Sequence, residues 1–136
     1  MKLRAAIIVN DASQARPILE GLLRKGISVT IESDPQAVLD AVRTNPPDLL
    51  IVEDSLSGMT GTQFLSEFLT IDWTTSAILI CDEDEEVVHQ RTEGLGILGA
   101  IRTVDDAQRL DVLIDRFLEM RTFSRPTAAQ TSTDGS

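Results

Sequence analysis

Residues 47–61 read Pro-Asp-Leu-Leu-Ile-Val-Glu-Asp-Ser-Leu-Ser-Gly-Met-Thr-Gly, and this stretch decides the fold. The aliphatic run 49–52 is typical of a short strand that is buried on both faces. The run ends abruptly at two carboxylates, Glu53 and Asp54, and a turn-rich segment follows. The pattern therefore predicts polar chemistry at the carboxyl end of a buried strand.

The rest of the chain alternates in the same way between short apolar runs and helical patterns. We predict further strands near residues 3–9, 27–31, 77–81 and 99–102. A helical pattern follows each strand, and the predicted helices span 13–25, 35 to about Arg43, the segment carrying residues 64–69, 82–94 and 105–120. Five β-α units predict an α/β fold with a doubly wound, five-stranded parallel sheet and helices on both faces. In such sheets the site lies at the carboxyl ends of the strands.

Composition indicates a single globular domain. The chain has 136 residues, of which 42% are hydrophobic and 25% charged. The apolar pattern ends after Met120, so we predict a domain over 1–120 and a flexible polar tail over 121–136. No apolar stretch approaches the ~20 residues of a membrane span, and the N-terminal residues do not form a convincing signal peptide. Because a single cysteine also fits a reducing compartment, we expect a cytoplasmic protein without membrane contact.

The formal net charge of −10 narrows the class of partner. It disfavours nucleic acid, whose phosphates would be repelled, and it favours cations or basic protein surfaces. The acidic run 82–86 is either a solvated helix start or a docking surface for a basic partner. Trp73, between the third helix and the fourth strand, is predicted to cover the sheet edge.

Three segments resemble the receiver domain of response regulators. Residues 47–53, followed by Ser-Gly-Met-Thr-Gly at 57–61, resemble the family motif P-D-L-V-L-L-D followed by P-G-M-D-G. Residues 7–11 are similar to the family's first strand with its pair of acids, and 95–103 to its L-G-A-x-x-Y-L-x-K segment. The resemblance covers roughly residues 3–120 and implies a flavodoxin-like sheet with strand order 2-1-3-4-5.

The resemblance also implies a set of site positions. A receiver accepts a phosphoryl group from a histidine kinase on an Asp, with two acids that help to bind Mg²⁺ and with a Thr or Ser and a Lys that contact the phosphoryl group. The corresponding positions in this chain, with two neighbours, are Asn10, Asp11, Glu53, Asp54, Cys81, Asp82, Arg102 and Thr103. The acceptor position falls on Glu53, the hydroxyl position on Cys81 and the lysine position on Thr103, with Arg102 one residue earlier.

These replacements predict a degenerate receiver, a pseudo-receiver that binds proteins without Asp phosphorylation. It is expected to be no enzyme and to require no cofactor. By family analogy its partner is a histidine kinase, an output protein or a second copy in a homodimer, contacted through the fourth helix, fifth strand and fifth helix. The phosphate would lack its lysine, and Asp82 would repel it.

Two alternatives stay open. In the first, the chain is phosphorylated on Asp54 with Mg²⁺, which requires a shift by one residue that turns the side chain to the other face. In the second, it is a small-molecule or metal-binding flavodoxin-like domain, with a cation held by Asp11, Glu53 and Asp54. Cys81 is predicted to be a small buried residue and His89 a surface residue.

Overall fold

The structure, a computed structural model, describes residues 3–41, 44–56, 58–72 and 74–124, with the backbone alone for 85 and 122–124. Four sequence predictions lie wholly or partly outside the described residues. They concern the end of the second helix near Arg43, the motif residue Ser57, the position of Trp73 and the tail from residue 125 onwards.

The described chain forms the predicted doubly wound α/β fold. The strands are β1 (Arg4–Ile8), β2 (Ser28–Glu32), β3 (Leu49–Glu53), β4 (Ser76–Ile80) and β5 (Gly99–Ile101). The helices are α1 (Arg16–Arg24), α2 (Pro35–Ala41), α3 (Gly61–Ile71), α4 (Glu85–Arg91) and α5 (Ala107–Ser124). All neighbouring strands are parallel in the order β2-β1-β3-β4-β5, which confirms the predicted topology. Within the described ranges, no helix combines the length and the apolar character that crossing a bilayer would require.

Three helices differ from their predicted bounds. The fourth helix, predicted over 82–94, is shorter and spans Glu85–Arg91, with Asp84 and Thr92 as its caps. The segment expected to be one helix from Ser13 begins as a 3₁₀ turn over Ala12–Ala15, and α1 starts at Arg16. Pro17 lies in the first turn of α1, where its missing N–H costs no helical hydrogen bond. The last helix continues past the predicted boundary at residue 120 and ends at Ser124.

Arg121 gives the physical reason for the longer α5. Its Nη2 donates to the Asp48 carboxylate at 3.1 Å and to the Asp48 carbonyl at 3.2 Å. Its guanidinium also lies over the Phe117 ring, 5.5 Å from the centroid. A basic side chain thus extends the packing of α5 where the apolar pattern has already stopped.

Strand β3 divides the core into two layers. Leu49 and Ile51 pack with α1 and α5 on one face, and Leu50 and Val52 pack with α2, α3 and α4 on the other. All four are fully buried, which explains the continuous apolar run.

Helix α3 starts directly against the end of β3. Thr60 and Gln63 form a capping box around its first turn, and Gly61 is the first helical residue. A Cβ atom on Gly61 would lie 2.6 Å from the Glu53 carbonyl oxygen and 2.9 Å from the Asp54 Cα. The closing glycine of the 57–61 motif is therefore required by close packing of α3 on the backbone of the site.

We predict that Gly61→Ala destabilises the fold, because the added methyl group must displace backbone. The expected loss in the free energy of unfolding is about 1–3 kcal/mol, measured by urea unfolding followed by circular dichroism. The control is Gly21→Ala in α1, whose Cβ would meet Leu110 at an ordinary 3.5 Å. This control should be neutral or stabilising by up to about 1 kcal/mol. Equal losses in the two variants would contradict the close-packing explanation.

Candidate functional site

Four strands deliver polar residues to one edge of the sheet. The parallel register pairs Ile8 with Val52, Glu53 with Ile80, and Ile80 with Ile101. The residues that follow these pairs therefore meet at the carboxyl edge, as the sequence predicted. Their side chains enter separate sets of contacts, three of which join residues of different elements, while Asp11 bonds within its own turn.

The first set joins Glu53 to Asn10. The backbone N–H of Asn10 donates to Glu53 Oε1 at 3.0 Å. The Asn10 side-chain amide donates to the carbonyl oxygen of Ser55. At the position of the family's first acid this chain therefore has a hydrogen-bond donor, and it ties the loop after β1 to the loop after β3.

Asp11 serves as a cap for the 3₁₀ turn. Its Oδ1 accepts from the Ser13 backbone N–H at 3.0 Å and from the Ser13 hydroxyl at 2.7 Å. The hydrogen bond from the Ser13 hydroxyl, followed by that from its N–H, lowers the pKa of Asp11 below its ordinary value. Asp11 therefore stays ionised at neutral pH with its oxygen engaged in its own turn.

Asp54 lies at the centre of the second set, an ion-pair cluster with α3 and α4. Arg91 Nη2 donates to Asp54 Oδ2 at 2.8 Å and to Oδ1 at 2.9 Å. Thr62 adds its hydroxyl at 3.1 Å and its backbone N–H at 3.3 Å. The side chain of Asp54 is only 15% exposed, so its charge depends on these donors for compensation.

Arg91 extends the same cluster towards the start of α4. Its Nη1 donates to Glu83 Oε2 at 2.9 Å and lies 3.6 Å from the Cys81 sulfur. The hydrogen bond to Asp54 is the main cause of a raised Arg91 pKa. Arg91 and Thr62 were missed by the sequence reasoning, although the spacing of Arg91 from the buried Val88 places it on the inner face of α4.

The donor atoms of this edge are a poor match for Mg²⁺. Within the described part of the chain, the acidic and sulfur ligands that converge are Asp54, Cys81 and Glu83, and Asp11 and Glu53 are not among them. Mg²⁺ prefers an octahedron of oxygen atoms, whereas this group includes a thiol. Its carboxylates already accept hydrogen bonds from Arg91. We therefore derive no phosphoryl chemistry through a metal ion.

The third set lies around the start of α4 and the end of β5. Arg102 reaches Asp82 at 3.5 Å and Asp84 at 3.4 Å across an exposed surface. Thr103 Oγ1 accepts from the Asp105 backbone N–H at 3.2 Å and shapes the turn before α5. Arg102 thus partly compensates the charge of Asp82. Thr103, at the position of the family's lysine, stabilises the turn before α5.

We predict that Arg91→Met lowers the free energy of unfolding by about 1–3 kcal/mol, because the partly buried Asp54 would lose its counter-charge. In a double-mutant cycle with Asp54→Asn, the coupling energy should be about 1 kcal/mol or more. Arg102→Met is the matched control and should change stability by no more than about 0.5 kcal/mol, since its ion pairs are long and exposed. A coupling energy near zero would show that the cluster contributes nothing to the fold.

We predict that Cys81 is a poor nucleophile in the folded protein. Its side chain is buried, and burial, followed by the charge of Asp54, raises the pKa of the thiol. A raised pKa keeps the thiol protonated at neutral pH, so the thiolate fraction falls. With a disulfide reagent at pH ~8, the native chain should react at least about 100-fold more slowly than the urea-unfolded chain. Equal rates would contradict this prediction.

Comparison with known proteins agrees with the architecture. The sequence profile of the response regulator receiver domain matches residues 6–115. No curated protein is significantly similar in sequence. The CheY-like receiver domain protein from Methanospirillum hungatei JF-1 has a TM-score of 0.77 at 16% identity, over 91% of this chain and 100% of that one. The signal receiver domain of a putative Luxo repressor protein from Vibrio parahaemolyticus has a TM-score of 0.81 at 14% identity, over 97% and 100% of the two chains.

Structural similarity at sequence identities this low shows only that the fold is shared. The match to the sequence profile shows the family. That match spans most of the chain and includes β3, the motif after it and the ends of four strands that form the site. This chain belongs to the response regulator receiver domain family.

Proposed function

We propose that this receiver domain works in two-component signalling as a protein-interaction module that does not depend on aspartyl phosphorylation. The observation that supports the proposal most strongly is the contact of Glu53. This residue stands at the acceptor position of the family motif, and its carboxylate accepts the backbone N–H of Asn10. The carboxylate of Glu53 thus holds the loop after β1 in place through this hydrogen bond.

The charges around the acceptor position also favour this proposal. Phosphoryl transfer needs a carboxylate nucleophile and positive partners that neutralise the phosphate. The lysine position is Thr103, whose hydroxyl serves the turn before α5. The nearby cations Arg91 and Arg102 are both paired with carboxylates of this chain. A phosphoryl group on Glu53 would have to compete for a cation that is already engaged.

The alternative acceptor, Asp54, is disfavoured by its own contacts. Both of its oxygens accept from Arg91, and Thr62 donates twice to Oδ1. Modification of either oxygen would replace these hydrogen bonds in a site that is 15% exposed. We therefore assign Asp54 a structural role as the anchor of α4.

The proposed interaction face consists of α4, β5 and α5, and the proposed partner is a histidine kinase, an output protein or a second copy of the chain. The proposal includes a cytoplasmic location and assigns no catalytic residue. The small-molecule or metal-binding alternative stays a prediction, and a thermal-shift screen with divalent ions and nucleotides tests it.

The test of the proposed function is incubation of the full chain with acetyl phosphate and Mg²⁺, followed by intact-mass spectrometry. The expected result is an unmodified mass under conditions that phosphorylate a receiver with an Asp acceptor run in parallel. Glu53→Asp and Asp54→Asn variants accompany the native chain. A stoichiometric, acid-labile phosphoryl adduct on the native chain would overturn the proposal, and its loss in Asp54→Asn alone would identify Asp54 as the acceptor.

A further inference from the structure

Strand β2 is an outer strand of the sheet, and its hydrogen bonds show which way its backbone faces. The Ser28 N–H donates to the Leu3 carbonyl oxygen at 3.0 Å, and the Glu32 carbonyl oxygen accepts from the Val9 N–H at 3.0 Å. The backbone groups of successive residues in a strand point alternately to its two sides. Ser28, Thr30 and Glu32 therefore direct their N–H and C=O groups towards β1.

The two residues between them, Val29 and Ile31, direct their N–H and C=O groups to the open edge. Among the residues that the structure describes, no group forms a hydrogen bond with them at that edge. The opposite edge of the sheet differs, since the carbonyl oxygens of Leu98 and Ala100 accept from arginine side chains of α5 at 3.3 and 3.4 Å. The β2 edge thus keeps two donors and two acceptors that another strand can use.

The residue types of β2 also favour pairing. Val29, Thr30 and Ile31 are consecutive β-branched residues, which are enriched in strands because they pack well on a pleated surface. Edge strands that avoid association commonly carry a proline or a lysine. Strand β2 has neither.

An apolar flank of α1 lies beside this edge. Gly21 faces α5, since a Cβ atom there would lie 3.5 Å from Leu110. Leu19 and Leu23 are each two residues from Gly21, and two residues turn a helix by about 200°. Both leucines therefore lie on the flank of α1 that faces away from α5, on the β2 side. Leu19 is partly buried, and Leu23 is 54% exposed.

We propose that β2 pairs with β2 of a second copy of this chain, antiparallel and about a twofold axis at Thr30. Val29 then lies opposite Ile31 of the second copy, and each such pair exchanges two hydrogen bonds. The axis makes the two pairs identical, so the open groups of both copies are satisfied together. This surface lies at the opposite edge of the sheet from β5, and the inference goes beyond the proposed function.

The side chains fit this register. Thr30 faces Thr30 of the second copy, a cross-strand pair that stabilises antiparallel strands. Glu32 faces Ser28 of the second copy, whose hydroxyl is a donor, and no two like charges lie opposite each other in β2. Both α1 helices lie on the same face of the joined sheet, so the flanks with Leu19 and Leu23 approach each other and remove apolar surface from water. A strand of another protein would meet the same backbone groups without these matches.

The first test is sedimentation velocity of the full chain between about 10 µM and 1 mM, in about 0.15 M salt. This salt concentration screens most of the repulsion between two copies that each have a formal net charge of −10. Because β2 has only five residues, the interface is small and we expect a weak dimer that forms as the concentration rises. A chain that stays monomeric over the whole range would overturn the proposal.

Amide hydrogen exchange locates the contact in the same samples. The amides of Val29 and Ile31 should exchange at least about threefold more slowly where the dimer predominates than in the monomer. The Thr30 amide points towards β1, so it should be protected at both concentrations. A dimer in which the Val29 and Ile31 amides exchange at the monomer rate would contradict pairing through β2.

Two lysine variants separate edge pairing from general charge effects. Thr30→Lys places two ammonium groups opposite each other at the axis and should weaken dimerisation by about fivefold or more. The matched control, Ser66→Lys, makes the same change in net charge at an exposed position on α3 and should alter dimerisation less than about twofold. Circular dichroism and thermal unfolding verify that both variants are folded. Equal effects of the two variants would overturn the assigned edge.

Discussion

The burial of β3 on both faces is the constraint on which the rest of the structure depends. The strand lies between β1 and β4 at the centre of the sheet, and the run 49–52 contributes alternately to the two core layers. Burial of four aliphatic side chains stabilises the fold by several kcal/mol, at about 1.5–3 kcal/mol for each side chain. It also means that Glu53, the last residue of β3, is the first position of this strand at which a polar side chain is tolerated. The position of the site is thus a consequence of the length of the apolar run.

At that edge, Glu53, Asp11 and Asp54 each accept hydrogen bonds from other residues of the chain. Glu53 and Asn10 join two loops, Asp11 caps a turn, and Asp54 holds Arg91. A receiver that is phosphorylated needs acids that are free to bind a metal ion and cations that are free to contact phosphate. Here Glu53 and Asp11 accept hydrogen bonds from Asn10 and Ser13, and Asp54 is paired with Arg91. The same edge of the sheet therefore serves the internal cohesion of the domain, which is why we favour interaction over phosphoryl transfer as its function.

The sequence predicted the fold well because the fold depends on patterns that are local and strong. The five apolar runs can be interpreted without knowledge of their neighbours. So can a glycine after a helix, and Gly26, which follows α1, adopts a positive φ of 79°. The end of α5 was misplaced because Arg121 is held by Asp48 and Phe117, contacts that no helical periodicity records.

The sequence also predicted which strand ends would meet, but it could not predict the partners of their side chains. Asp54 was weighed as an acceptor or a metal ligand, whereas its oxygens accept from Arg91, 37 residues along the chain. A long arginine side chain can reach several acids, and tertiary geometry decides among them. The strand-end acids were visible in the sequence, and the cation that pairs with one of them was not.

Arg91 physically connects the carboxyl edge of β3 to the segment that precedes α4. One of its nitrogens binds Asp54 after β3, and the other binds Glu83, two residues before α4 begins. A guanidinium stays protonated at every physiological pH, so Arg91 keeps the charge that makes this connection. A displacement of α4 that broke both contacts would leave two carboxylates near each other without their shared counter-charge. The electrostatic cost of that state opposes the displacement. The position of α4 against the end of β3 is therefore held by one side chain that is charged at every physiological pH.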